Sequence, residues 1–281
     1  MIHHAYLMGL INQTPTIMSE NEIILTHILN CRSIDLILKK PVLTHPQQQQ
    51  FESYKVRRKN GEPLQYILGC CEFYGLEFKV DKRVLIPRPE TEVLVEMAIQ
   101  RVASRTGPAV LDLGTGSGNI AIALAKFCPQ VKVTTVDISK DALDVARDNA
   151  VRHGVDGRIN FVHADMVEYL NVETRHCLAS TTKYDLIISN PPYIPTEQMK
   201  VLPRDVQQEP RLALEAGEDG LKFYRDIIKY TPPLLREGGY LMMEFGDGQA
   251  KPIQALFDPD FTVDIFKDLV GKERFLMARR I

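Results

Sequence analysis

From Val110 to the end of this 281-residue chain, short apolar runs alternate with amphipathic stretches, and that alternation limits the possible folds more than any other feature. Residues 110–113, 132–136, 159–163, 184–189 and 239–245 read as strands, being short, apolar and bounded by turn residues. Residues 120–127 and 140–153 read as helices, and 223–235 as a helix interrupted at Pro232-Pro233. Strands alternating with helices imply a parallel sheet covered on both faces. The last two strands, 262–267 and 274–278, are joined by Gly271-Lys272, and a hairpin there makes that end of the sheet antiparallel.

Residues 1–75 look mainly helical. Ser19, followed by Glu20 and Glu22, caps a helix carrying Ile23, Ile24, Ile28 and Leu29. A second helix covers 33–39 and stops before Pro41, and a third runs from near Pro46 to Asn60-Gly61. Residues 72–80 alternate around Gly75 as a hairpin. Pro87 and Pro89 then hold an extended connector into a helix over 92–103, capped by Thr91 or Glu90. The expected division is residues 1–80, a helical docking domain with a hairpin linker, and residues 81–281, the α/β domain.

Between the strand at 110–113 and its helix lies Asp112-Leu113-Gly114-Thr115-Gly116-Ser117-Gly118. Glycines let the backbone approach a ligand. A dinucleotide fingerprint would place its third small residue where Asn119 stands. Asp112 would repel a pyrophosphate but accept hydrogen bonds from an ammonium group, which favours S-adenosylmethionine over a dinucleotide. Asp137 ends the second strand, where a carboxylate can accept from both hydroxyls of a ribose. Asp165 and Met166 follow the third; the acid can accept from an adenine amine and the thioether can pack on its ring.

At the fourth strand end stands Asn190-Pro191-Pro192-Tyr193. Two prolines cannot continue a central strand, so the chain turns out of the sheet there. The Asn190 side-chain oxygen and the Pro191 carbonyl can accept from the two N–H bonds of an amide or aromatic amine, with Pro192 stiffening the turn and Tyr193 as a packing wall. Alone, the tetrapeptide reads equally as a proline-rich turn. Three acidic strand ends upstream favour the ligand reading. An amide nitrogen is a poor nucleophile, so holding its N–H bonds in line with a methyl–sulfur axis is the help expected from Asn190 and Pro191.

Charge bears on the partner. The formal net charge is −2, and seven acidic and eight basic residues up to Lys79 leave the amino-terminal region nearly neutral. That suits a protein-docking or lid module, or a helical cap over the core, better than a nucleic-acid clamp. Lys55, Arg57, Arg58 and Lys59 cluster as a solvated helix face. Five cysteines without C-x-x-C spacing (Cys31, Cys70, Cys71, Cys128, Cys177) argue against a disulfide framework or a zinc site and fit a reducing compartment. No apolar run approaches the ~18 residues of a spanning helix, and the first residues lack a leader pattern, so the expected location is cytoplasmic, without membrane or metal.

With these motifs in place, the chain resembles the HemK/PrmC family of S-adenosylmethionine-dependent methyltransferases. The resemblance rests on residues 61–69, on Leu85-Ile86-Pro87-Arg88-Pro89-Glu90-Thr91-Glu92, on the glycine loop and on Asn190-Pro191-Pro192-Tyr193-Ile194. Downstream it includes Glu209-Pro210-Arg211-Leu212-Ala213-Leu214, residues 217–221, Glu244-Phe245-Gly246 and Gln249. It implies a Rossmann-like seven-stranded methyltransferase domain, a small helical amino-terminal domain and a β-hairpin linker. It implies methylation of the glutamine side-chain nitrogen in the Gly-Gly-Gln motif of class-1 peptide-chain release factors, with S-adenosylhomocysteine as coproduct. By position, Gly114, Thr115, Gly116, Ser117, Gly118, Asp137, Asp165, Met166 and Asn190 are expected on the cofactor, and Asn190, Pro191, Pro192 and Tyr193 on the substrate amide. Arg88, Glu90 and Glu92 read as a salt bridge between linker and core, and Glu209 as a loop over the site or a plain surface loop. The competing reading is an N6-adenine nucleic-acid methyltransferase, which needs a basic channel and an extruded base. A cofactor-binding module without catalysis would not need Asn190 and Pro191.

Overall fold

The computed structural model describes residues 18–177 and 183–281, with the side chains of His176 and Cys177 excepted. The amino-terminal residues expected to lack a leader pattern lie outside the described residues, as does the Cys177 thiol. The chain divides into two compact units, one ending at Leu68 and the other spanning Gly69–Ile281.

The first unit is helical. Helix Glu20–Leu29 opens with a capping box, Ser19 Oγ accepting from Glu22 N while Glu22 accepts from Ser19 N at 2.7 Å. Helices Ser33–Lys39, His45–Lys59 and Leu64–Leu68 follow. Arg58 donates to Glu20 at 2.9 Å and ties the first helix to the third.

The second unit begins with the hairpin, β1 Cys70–Phe73 and β2 Leu76–Lys79, which the sequence had grouped with the helices. Tyr74 and Gly75 both take positive φ, the two-residue turn whose twist matches paired strands. The strain at Tyr74 is offset by fixed contacts: its N–H donates to Glu92 at 2.9 Å and its ring meets Phe127 edge-on.

Seven strands then form one sheet: β3 Ala109–Leu113, β4 Lys132–Asp137, β5 Ile159–His163, β6 Tyr184–Ser189, β7 Leu235–Glu244, β8 Phe261–Lys267 and β9 Glu273–Arg280. Their order is β5-β4-β3-β6-β7-β9-β8, parallel from β5 to β7, with β9 antiparallel to both neighbours. All six residues of β6 are buried, as a strand covered on both faces requires. From β3 the chain winds outward to β4 and β5, then returns to β6 on the other side of β3. Ligands of open α/β sheets bind at such a reversal, outside the carboxyl ends of the strands. Register places Leu113 of β3 beside Val136 of β4 and Ser189 of β6, so the loops after all three leave the same edge.

Several elements differ from the sequence reading. Helix Pro89–Val102 starts with proline in its first turn, so Thr91 lies inside it and caps nothing. Helix Met166–Cys177 was not foreseen; Asp165 Oδ1 caps it, accepting from Val167 N and Glu168 N. Helix Lys222–Tyr230 stops before the two prolines, which sit in a short 3-10 turn, and β7 starts at Leu235 through an irregular register beside β6.

Gly118, at φ 83°, ends the glycine loop, and a Cβ there would lie 2.8 Å from Ile122 Cδ1 and 3.1 Å from Ala146 Cβ. Gly118→Ala should therefore lower unfolding free energy by about 2–4 kcal/mol, combining a left-handed backbone with overpacking. Urea denaturation measures this, and a change within error would remove the close approach as a constraint.

Candidate active site

The carboxyl edge of the sheet encloses a cavity of about 310 Å³. Its wall includes Gly114, Thr115, Gly116 and Ser117 after β3, Asp137 after β4, Asp165 and Met166 after β5, and Asn190 and Pro192 after β6. Gly118, Pro191 and Tyr193 are not part of that wall. Gly118 acts at the helix junction described above. Tyr193 lies against the core formed by β7 and its neighbours, and burial pushes its phenol up to about 12.

Asp137 organises two of these loops. One carboxylate oxygen accepts from Gly116 N at 2.9 Å and the other from Ser139 N at 2.8 Å. Burial raises its pKa, against the opposing pull of those N–H groups. Each oxygen retains a further lone pair for a ligand hydroxyl. A Cβ on Gly114 would stand 3.6 Å from Met166 Cε, so the thioether overhangs the glycine loop.

Asp112 has a different place from the one its sequence position suggested. It is fully buried under the loop rather than open to an ammonium group. Oδ2 accepts from the Thr135 hydroxyl at 2.7 Å, and Thr135 in turn accepts from Thr115. Oδ1 has no hydrogen-bond partner among the described residues. Burial, reinforced by the Asp137 charge, pushes the carboxyl up to about 7 although the Thr135 bond opposes it.

Three supports were not legible in the sequence. Asn190 Nδ2 donates to Thr91 Oγ1 at 3.1 Å, and that hydroxyl donates to Glu244 Oε2 at 2.7 Å. Burial pushes Glu244 up to about 7. Glu209, only 5% exposed, accepts from Ile86 N at 3.0 Å and from Arg88, closing the connector onto the loop that carries Pro210 and Leu212. It is thus neither a plain surface group nor solvent-facing. Gln249 Nε2 donates to Tyr193 O at 3.0 Å and to Gly220 O, while its oxygen accepts from Gly246 N. A Cβ on Gly220 would lie 2.5 Å from Tyr193 O, so that clasp needs glycine. Gly220 and Gln249 belong to the segments that carry the family resemblance, but their mutual contact is not legible in the sequence.

Among the described residues, no helix is long and apolar enough to cross a membrane, and no group of three His, Cys, Asp or Glu side chains is placed to hold a metal ion. Cys31, Cys70, Cys71 and Cys128 are free thiols.

The family model Methyltransferase small domain matches residues 90–218, and PrmC N-terminal domain matches residues 12–69. The fold also resembles a methyltransferase from Pyrococcus furiosus, with a TM-score of 0.52 and 17% identity, covering 84% of this chain and 98% of that one. Sheet order, edge cavity and domain match define a methyltransferase of the class that takes its methyl group from S-adenosylmethionine. Curated relatives are closer in sequence. The release factor glutamine methyltransferase of Chlorobaculum tepidum is 43% identical, covering 91% of this chain and 87% of that protein. The protein of the same name from Geobacter sulfurreducens is 46% identical over 79% of this chain and 75% of its own length. The chain belongs to the release factor glutamine methyltransferase family.

The buried acids give stability a pH dependence. Asp112 has its folded pKa raised from 3.8 to about 7, so its contribution is full below about pH 4 and is lost as pH rises through about 7. Asp112→Asn, which keeps a neutral acceptor for Thr135, should gain melting temperature relative to the parent protein as pH rises from about 4 to 8. Thermal unfolding of both across that range tests it; a constant difference would show that Asp112 does not titrate upward.

Proposed function

We infer that the protein transfers a methyl group from S-adenosylmethionine to a glutamine side-chain nitrogen in the Gly-Gly-Gln motif of class-1 release factors. The observation that carries this reading is the convergence on one cavity wall of the glycine loop, Asp137, Met166 and Asn190. The curated relatives named release factor glutamine methyltransferase support it, as does the similarity over most of the chain.

The residues present fit the cofactor. Gly114 to Ser117 leave space beside the methionyl end, Asp137 offers lone pairs to ribose hydroxyls, and Ile138 and Met166 offer apolar surface to the adenine ring. When bound, the cofactor supplies an electrophilic methyl group on a sulfonium. The chain's own task is orientation. The Asn190 oxygen and the Pro191 carbonyl accept from the target NH2, hold the nitrogen in line, and stabilise positive charge as it develops there. Pro191 and Pro192 are both buried, and Gln249 fixes the Tyr193 carbonyl, so the turn holds its acceptors in place. Arg88 lines the cavity and pairs with buried Glu209, which fixes the connector at the cavity wall. Residues 1–80 serve release-factor docking in this reading.

Purified full-length protein should incorporate labelled methyl into the glutamine of a folded release factor, located by peptide mapping, and much less into free glutamine or naked DNA. Label in DNA adenine with none in protein would make the nucleic-acid reading correct. Asp137→Ala should weaken S-adenosylmethionine binding by about 1.5–3 kcal/mol, the scale of hydrogen bonds to a charged group. Calorimetry on the folded variant measures it, and unchanged affinity would remove Asp137 from the cofactor site.

A further inference from the structure

The side-chain amide of Asn190 has two chemically opposite ends, and only one of them can serve a target NH2. The oxygen accepts; the nitrogen donates and would repel the N–H bonds it is meant to hold. Rotation of the amide by 180° exchanges the two ends at almost no steric cost. Something must therefore choose between them.

The choice is made at Thr91, which lines the same cavity, and at its partner Glu244. Thr91 is 1% exposed and Glu244 2%, so water does not compete at either side chain. A hydroxyl has one proton, and that of Thr91 is committed to Glu244 Oε2 at 2.7 Å. With Glu244 ionised, the hydroxyl presents only lone pairs toward Asn190, so Asn190 presents Nδ2, at 3.1 Å. This direction follows from counting protons. The three residues come from separate segments, helix Pro89–Val102 and the ends of β6 and β7, and the register Ser189 to Met243 brings the last two side by side. Glu244 is held in turn: the Tyr224 hydroxyl donates to its backbone oxygen at 2.8 Å.

We propose that Thr91 and Glu244 are positioning residues that lock the Asn190 amide with its nitrogen inward and its oxygen available to the substrate. The proposal rests on the reading that Asn190 holds the target amide. A purely structural pair would change stability alone. A positioning pair changes turnover through Asn190 and leaves cofactor affinity nearly intact.

The experiment uses the full-length protein, a purified release factor and S-adenosylmethionine. Thr91→Val keeps the shape and removes both donor and acceptor. It should lower kcat about 10-fold or more, the scale of losing one preorganised polar group, with S-adenosylmethionine affinity within about 3-fold of the parent. Thr91→Ser should restore turnover. Glu244→Met, which leaves the Thr91 proton free to turn toward Asn190, should reproduce the loss. In an Asn190→Ala background, Thr91→Val should cost nothing further. A readout independent of activity is the NMR signal of the Asn190 side-chain NH2 in 15N-labelled protein: slow hydrogen exchange in the parent and Thr91→Ser, fast in Thr91→Val. Parent kcat in folded Thr91→Val or Glu244→Met, or an equal loss with and without Asn190, would overturn the proposal. Parent turnover in Asn190→Ala would overturn the underlying reading as well, whereas a dead Asn190→Ala beside an unimpaired Thr91→Val would overturn the positioning pair alone.

Discussion

Carboxylates accepting from backbone N–H groups hold together the ligand-facing edge of this protein. A strand that stops at a loop leaves its next N–H groups unpaired, and the first N–H groups of a helix have no partner within it. Asp137 takes two such groups, from Gly116 and Ser139, and thereby fixes the glycine loop and the start of helix Lys140–His153 together. Asp165 takes two at the start of the next helix, and Glu209 takes that of Ile86 in the connector. These short acidic bridges let irregular backbone stand in fixed positions around a cavity without becoming a second layer of sheet.

The same edge carries two acids whose environment works against ionisation. Asp112 within β3 and Glu244 at the end of β7 are almost wholly buried, and each has its pKa pushed up to about 7. Each also takes a threonine hydroxyl, from Thr135 and Thr91 respectively. The hydroxyls matter because they can stay bound to either form of the acid. Threonine beside a buried carboxyl spreads the cost of desolvation over a hydrogen-bonded chain that ends at a loop residue, Thr115 in one case and Asn190 in the other.

The sheet was legible because buried strands are local: five apolar runs gave β3 to β7, and Gly271-Lys272 gave the antiparallel end. Loop positions were legible for the same reason, since Gly116 frees its own backbone for a positive φ and Pro191 restricts its own. Side-chain partnerships were not. Thr91 looked like a helix cap because threonine at a helix start usually is one, yet its partners lie 99 and 153 residues away. Helix Met166–Cys177 was missed because Asp165 was read for a ligand and not for the helix it caps. Asp112 read as exposed because a strand end and a buried strand interior have the same sequence. Nothing in periodicity reports which of two neighbours lies above the other.

One further side chain joins parts that the sequence keeps apart. Asn149 is fully buried in helix Lys140–His153. Its oxygen accepts from Lys79 N at the end of the hairpin, and its nitrogen donates to Lys79 O and to Ser117 O of the glycine loop. Fraying of the hairpin end and loosening of the glycine loop therefore draw on one set of hydrogen bonds. Linkage is reciprocal, so any free energy by which a ligand of the loop steadies the hairpin end equals that by which an ordered hairpin end favours the ligand. A single amide thus ties the end of the β1–β2 ribbon to the glycine loop at the cavity wall.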